Sequence, residues 1–123
     1  MDHERAAAWL QSYLDAWRSN DRRKIEALFT ADATYRYAPY DTPVVGAEAI
    51  ASGWLDDPDE PDGWEASYAP VAVDGHTAVA TGVSRYQATD QRPARTYHNC
   101  FVLRFDDQGR CRDFTEWFMQ QPD

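Results

Sequence analysis

Positive charge is scarce in this chain. Lysine and arginine together number 12 against 21 acidic residues, the formal net charge is −9, and Lys24 is the only lysine. Nucleic-acid binding draws on clustered cations that neutralise phosphates. The one basic run, Arg22-Arg23-Lys24, reads as the solvated face of a short helix. Nucleic acid is thereby excluded as a partner, and the same field argues against anionic membrane surfaces. Long apolar runs are missing too, and none approaches the roughly 20 residues of a membrane-spanning helix. The opening Met1-Asp2-His3-Glu4 has neither the basic start nor the apolar stretch of a secretory leader, so the expected location is cytoplasmic.

Cysteine and histidine are equally sparse. With a turn at Asp106 to Gly109, Phe105 would face Arg110, Cys100 would face Thr115 and Cys111 would face Arg104. The two sulfurs would then lie about four residues out of register, beyond disulfide reach, and both read as reduced thiols. His3, His76 and His98 are far apart and show no metal-ligand spacing with Cys or Asp. The acidic stretch Asp56 to Asp62 lacks the spacing of a calcium loop and reads as a solvated charge run. No Gly-rich phosphate cradle is present, and Ser84 and Thr115 have no neighbouring base that would make either a nucleophile. Neither a metal nor a cofactor is expected.

What the chain does have is aromatic surface. Aromatics make up 14% of it, including five Trp and seven Tyr, within an apolar fraction of 43%. That is too much for a disordered chain, and the length suits one packed domain over residues 1–123. A first helix is predicted over Glu4 to Arg18, with Leu10, Tyr13, Leu14 and Trp17 on one stripe. Asp21 can cap a second short helix carrying Ile25, Leu28 and Phe29. A strand at Ala33 to Ala38, a crossing held extended by Pro39 and Pro43, and a third helix from Ala47 to Leu55 follow. Beyond the acidic stretch the pattern is all strand. Trp64 to Val73 and His76 to Gln87 flank the hairpin signal Asp74-Gly75. Thr96 to Phe105 and Arg110 to Gln120 flank a turn around Asp107 and Gly109, and a looser loop, Ala88 to Arg95, links the two hairpins. Helices first and a long antiparallel sheet afterwards is an α+β signature.

The predicted register puts Phe101 opposite Phe114, Leu103 opposite Arg112, Asn99 opposite Glu116 and Tyr97 opposite Phe118, all on one face by the period-two alternation of strands. If helices cover that face, it becomes an apolar wall with a few polar groups set in it, the usual make-up of a small-molecule site. Glu116 and Asn99 would be its chemical centre, with Tyr13, Trp17, Tyr37, Trp54 and Tyr86 as further walls. A carboxyl among aromatic rings resists ionising, which moves it toward the range useful for acid–base work. The structural alternative is that Glu116 pairs with Arg112 along the same face. The opposite face carries Cys100, Val102, Thr115, Trp117 and Met119, an apolar surface expected to be covered in a homodimer; His98 falls on that side as well.

The segment ALFTADATYRYAPYDTPVVGAEAI (Ala27 to Ile50), the Asp74-Gly75 hairpin and the closing FTEWFMQQP together resemble the SnoaL-like branch of the nuclear transport factor 2-like superfamily. The resemblance spans essentially the whole chain and rests on element order and lengths. It implies a cone-shaped fold, three N-terminal helices packed on a curved antiparallel sheet around a pocket. Ketosteroid isomerases of this superfamily use a first-helix Tyr, which Tyr13 matches. Tyr37 stands where their general-base Asp would be, and Phe101 near their second oxyanion acid, so that route is unavailable. Limonene-epoxide-hydrolase relatives use an Asp-Arg-Asp set. Glu116 occupies the place of one acid, but Ser84-Arg85-Tyr86-Gln87 replaces the Arg-x-Asp. The paired histidines of scytalone dehydratases are missing. A SnoaL-like polyketide cyclase, with one acid in a hydrophobic pocket, remains compatible. The resemblance thus implies a cofactor-independent cyclase, isomerase or dehydratase acting on a small apolar molecule, with Glu116 as acid or base, Asn99 orienting it, and Tyr13 and Tyr37 donating to a substrate oxygen. Two other readings stand beside it. One is a binder of a hydrophobic metabolite, which a bulky residue near Gly82 or Ser84 would disable. The other is an association domain with a solid interior.

Overall fold

Asp2 starts the first helix by accepting a 2.8 Å hydrogen bond from the Arg5 backbone amide, which satisfies one of the donors a helix start leaves free. In the computed structural model, which describes all residues from Met1 to Asp123, this helix, α1, runs from His3 to Ser19. Asn20, in the left-handed region at φ 53°, ends it by returning its N–H to the Ala16 carbonyl. Ala6, Trp9, Leu10, Tyr13 and Ala16 form the buried stripe. Asp21 caps α2 (Arg22–Ala27) through the Arg23 amide at 2.9 Å. Then come β1 (Phe29–Arg36), β2 (Val44–Val45), α3 (Ala47–Asp56), β3 (Trp64–Asp74), β4 (Thr77–Tyr86), β5 (Arg95–Phe105) and β6 (Cys111–Gln120).

The strands make one six-stranded open sheet in the order β2-β1-β6-β5-β4-β3. The sheet is antiparallel apart from one pair. β1 lies parallel to β6, the two being far apart in sequence, which departs from the wholly antiparallel sheet expected. β1 also begins and ends earlier than predicted, so Tyr37 and Ala38 lie just past its end. Val44 and Val45, expected in an extended crossing, pair with Tyr35 and Thr34.

The β5–β6 register differs instructively from expectation. The Asp106 carboxylate accepts from the amides of Gln108 (3.0 Å) and Arg110 (2.8 Å), and Gly109 takes φ 82°, so the turn is one residue longer and Phe105 faces Cys111. A bulge follows: Arg104 already faces Asp113, which leaves Arg112 as the extra residue. Two one-residue shifts add to two, and because side chains alternate with period two the faces are preserved. Phe101 now faces Glu116, Asn99 faces Phe118, Tyr97 faces Gln120, Leu103 faces Phe114 and Cys100 faces Trp117. Arg112 is the exception. The bulge turns it outward to solvent beside Asp32, Arg104 and Asp113, so it is neither a pocket wall nor a partner for Glu116. Both cysteines are free, Cys111 fully buried.

The three helices cover the inner face of the sheet, and the core is built where α1 crosses it. Trp9 stacks on Tyr13 at 5.5 Å and meets Phe29 and Phe105 edge-on, while its indole N–H donates to the Leu28 carbonyl at 3.1 Å. Each such fully buried aromatic contributes about 1.5–3 kcal/mol by leaving water. On the outer face Trp117 is 43% and Met119 76% exposed, and His98 there meets the Gln121 side chain at 2.8 Å. No helix is long and apolar enough to cross a membrane.

Candidate functional site

The inner-face residues change character along the strands, and this change makes the site. On β5, Phe105, Leu103 and Phe101 are buried in the core, and the next inward position is Asn99. On β6 the sequence inward is Cys111, Phe114, then Glu116. On β4 it is Ala78, Ala80, Gly82, then Ser84. Strand alternation therefore delivers three polar side chains to one level of the sheet. They form a string: Ser84 Oγ donates to Asn99 Oδ1 at 3.0 Å, and Asn99 Nδ2 donates to Glu116 Oε2 at 2.6 Å. The Asn99 amide presents its oxygen to Ser84, which therefore donates, and its NH₂ to the carboxyl group, which accepts. The other carboxyl oxygen, Oε1, receives no hydrogen bond from the protein.

Glu116 opens on a cavity of about 220 Å³. Its walls include Tyr13 and Trp17 of α1, Trp54 of α3, Tyr35 of β1, Tyr37 just past its end and Tyr68 of β3. No cation pairs with the carboxyl group, and burial pushes it up to about 7, only partly offset by the Asn99 hydrogen bond. The surrounding phenols stay protonated. Burial first, then the charges of neighbouring tyrosines and Glu116, raises Tyr13 and Tyr35 well above the ordinary tyrosine value, and Tyr37, Tyr68 and Tyr86 shift the same way. Tyr13 and Tyr35 hydroxyls lie 3.3 Å apart and share one proton donation. The arrangement is a proton acceptor or donor near neutral pH, facing phenol O–H groups across an aromatic cavity.

A second, outer chamber of about 290 Å³ leads from Glu116 to the surface. Tyr97 and Phe118 line it, in edge contact at 5.7 Å, with Tyr86, which borders both chambers. The residues singled out in the sequence therefore sort into three depths. Tyr13, Trp17, Tyr37, Trp54, Tyr86, Asn99 and Glu116 border the cavity; Tyr97 and Phe118 border its mouth; Phe101 and Phe114, 1% and 0% exposed, are packed beneath it. Arg112 lies outside.

Sequence reasoning missed Tyr35, Tyr68, Ser84's part in the string, and Asp59. Tyr35 had a signal, since it alternates with Tyr37. Tyr68 had none before the β3–β4 register was known, and Ser84, expected near the pocket, could be joined to Asn99 only through the β4–β5 register. Asp59 comes from the acidic stretch expected to be solvated. Its carboxylate accepts from the Trp17 indole N–H at 3.0 Å, its carbonyl from Asn20 at 3.4 Å, and the nearby Pro61 carbonyl from Arg18 at 2.6 Å. Trp17 in turn stacks on Trp64 at 3.6 Å, with the Arg18 guanidinium 4.1 Å over the same indole. That stretch is thus fastened to the end of α1 at the cavity rim. Gly82 cannot serve as a place to fill the pocket, because a Cβ there would collide with the Ser67 carbonyl and the Tyr68 ring.

Known proteins agree with this architecture. Residues 10–114 match the family described as the SnoaL-like domain. An NTF-2 like protein of unknown function from Burkholderia xenovorans LB400 superposes with TM-score 0.73 at 15% identity, over 98% of this chain and 87% of that one. An LEH-like epoxide hydrolase of M. tuberculosis gives 0.69 at 15% identity, over 95% and 84%. An NTF2-like protein of unknown function from Cytophaga hutchinsonii ATCC 33406 gives 0.64 at 16% identity, over 92% and 98%. None of the curated proteins matches the sequence significantly. At these identities the structural likeness establishes the NTF2-like fold.

Proposed function

We propose a function from one premise: the chain belongs to the SnoaL-like family. It is a cofactor-independent enzyme that moves a proton on a small, largely apolar molecule, as in cyclisation, isomerisation or dehydration. The observation that carries this is Glu116, a carboxyl group with one amide partner, no cation and one oxygen turned to an aromatic cavity. A general base works best with a pKa near the working pH, and a carboxyl near 7 meets that condition where an ordinary one does not. Glu116 Oε1 takes a proton from carbon beside a substrate carbonyl, and a phenol O–H of Tyr13, Tyr35 or Tyr37 donates to the oxygen on which negative charge develops. Glu116 then returns the proton at the position that completes the reaction. The inner cavity, about 220 Å³, is below the roughly 300–1,000 Å³ of sites for drug-sized ligands, which favours a small substrate.

The test is solvent-deuterium exchange. Small carbonyl compounds are incubated with the protein in D₂O, and loss of the acidic C–H signal is followed by NMR. The wild type should exchange at least one compound, and Glu116→Gln should slow that exchange by about 10²-fold or more. Equal rates in the two proteins would remove Glu116 from the chemistry and leave a pocket that binds a hydrophobic ligand without transforming it.

A further inference from the structure

The outer chamber holds two arginines that the proton-transfer chemistry does not use. Arg92 and Arg95 both border it, beside Tyr86, Tyr97 and Phe118. Acids outnumber lysines and arginines 21 to 12, yet only Arg22, Arg36 and Arg104 sit in ion pairs, and the two chamber arginines share the unpaired state of most others. The ion pairs of the molecule are Arg22–Glu26, Arg36–Asp113, His76–Asp107 and Arg104–Asp113, and neither chamber arginine takes part. Asp57 and Asp59 at the cavity, and Glu65 and Asp123 in the surface pocket that Arg95 also borders, form no ion pair with either arginine; Asp59 accepts from the Trp17 indole and Glu116 from Asn99.

Arg95 is held in place. It opens β5 opposite Tyr86, and its guanidinium lies 4.4 Å over the Tyr86 ring, a stacking geometry suited to arginine. Its Nε is buried and has no hydrogen-bond partner in the protein, although a buried donor left unpaired costs about 1–3 kcal/mol. Arg92 sits on a loop braced by two bonds between Thr89 and Arg92: Thr89 N–H to the Arg92 carbonyl at 2.8 Å, and Arg92 N–H to Thr89 Oγ1 at 3.1 Å. Two guanidiniums at an aromatic mouth, neither in an ion pair, are the groups that recognise a carboxylate.

We infer that the substrate is an amphipathic carboxylate, with an apolar body in the aromatic cavity at Glu116 and its anionic group held at the mouth by Arg92 and Arg95. This rests on the proton-transfer reading for what happens at Glu116, but the anchoring itself needs no chemistry. It also gives the substrate a single direction: the end that reacts enters first, and the charged end stays at the mouth. The long-range field of a protein with net charge −9 disfavours anions, so the local arginine pair supplies the attraction.

The experiment compares aryl carboxylates with their neutral amides: benzoate, phenylacetate and 3-phenylpropionate against benzamide, phenylacetamide and 3-phenylpropanamide. Affinities are read by amide chemical-shift titration of the full-length protein. At least one acid should bind about 10-fold or more tightly than its amide, with shifts on β6 around Glu116, and the preference should shrink as salt rises. Arg92→Gln, at an exposed loop position where folding is not at stake, should reduce that preference. Arg92→Gln with Arg95→Gln should abolish it while leaving amide affinity within about 2-fold. Arg95→Lys, which keeps the charge and loses the fork, should give an intermediate value. Three outcomes overturn the inference: acids and amides bind alike, the preference survives the double substitution, or no acid binds at millimolar concentration. Glu116→Gln, which removes a carboxylate from the wall of the same chamber, should keep or strengthen the acid preference. A protein that prefers acids but catalyses no exchange would sink the proton-transfer reading alone.

Discussion

The inner face of the sheet has two ends made from the same strands, and they differ in what the rings leave over. At the closed end, Phe114 is stacked on Tyr35 at 4.2 Å and 2°, faces Tyr13 at 5.6 Å, and lies 5.1 Å from Phe101. At the open end, one strand position further along, Glu116 meets an amide and a cavity. The closed end converts buried area into stability. The open end gives up some of that stability, since keeping a carboxyl group in an aromatic wall opposes its ionisation. The cavity lies where the aromatic layer no longer fills the space between the helices and the sheet.

The largest effect is expected from a substitution at the closed end. Phe114→Ala should destabilise the fold by about 3–5 kcal/mol, measured by urea denaturation, because it removes a fully buried ring with stacked neighbours. A loss under about 1 kcal/mol would mean the closed end is as loosely filled as the open one.

Next comes the pH dependence at the open end. Glu116 keeps its proton up to about pH 7 in the folded protein against 4.5 for an ordinary glutamate. Between those values the folded state binds more protons than the unfolded state, so stability falls as pH rises. The contribution is complete below about pH 4.5 and gone above about pH 7, on the order of 3 kcal/mol in all. Glu116→Gln cannot ionise and lacks this loss. Its stability relative to wild type should therefore climb across that interval and then level off. A flat difference would place the carboxyl group in water, and titration of its side-chain carbon would confirm which case holds.

The smallest effect should come from the rim. Trp17→Phe keeps a ring to stack on Trp64 but removes the indole donor to Asp59. A loss of about 0.5–1.5 kcal/mol is expected. Hydrogen exchange should quicken in residues 57–63 and stay unchanged in β5 and β6. Uniformly faster exchange would show the stretch to be part of the core rather than fastened to it.

Much of this division was legible in the residues. Alternation along β5 and β6 put Asn99 and Glu116 on the same face as Phe101 and Phe114 even though the expected turn was wrong, because the turn and the bulge each added one residue and the period is two. The same alternation failed at Arg112, since a bulge has no hydropathy signature and the extra residue simply leaves the pattern. Tyr35 was within reach of the argument that found Tyr37. Ser84 was expected near the pocket, but its hydrogen bond across to a neighbouring strand was not legible. The acidic stretch is exposed, as its charge and proline indicate, and only its fastening was not legible, because that depends on where the end of α1 lies.

The residues by themselves therefore determine the α+β class, the element order and which side chains point inward, since these follow from caps, turn residues and strand period, all of them local. Tertiary structure alone decided the β1–β6 parallel pairing, the depth at which the aromatic layer gives way to a cavity, and the absence of a cation beside Glu116 with two unpaired arginines further out. Those depend on register and distance between segments far apart in the chain. A carboxyl group's ionisation is set by what surrounds it in space, which no run of neighbours in sequence records.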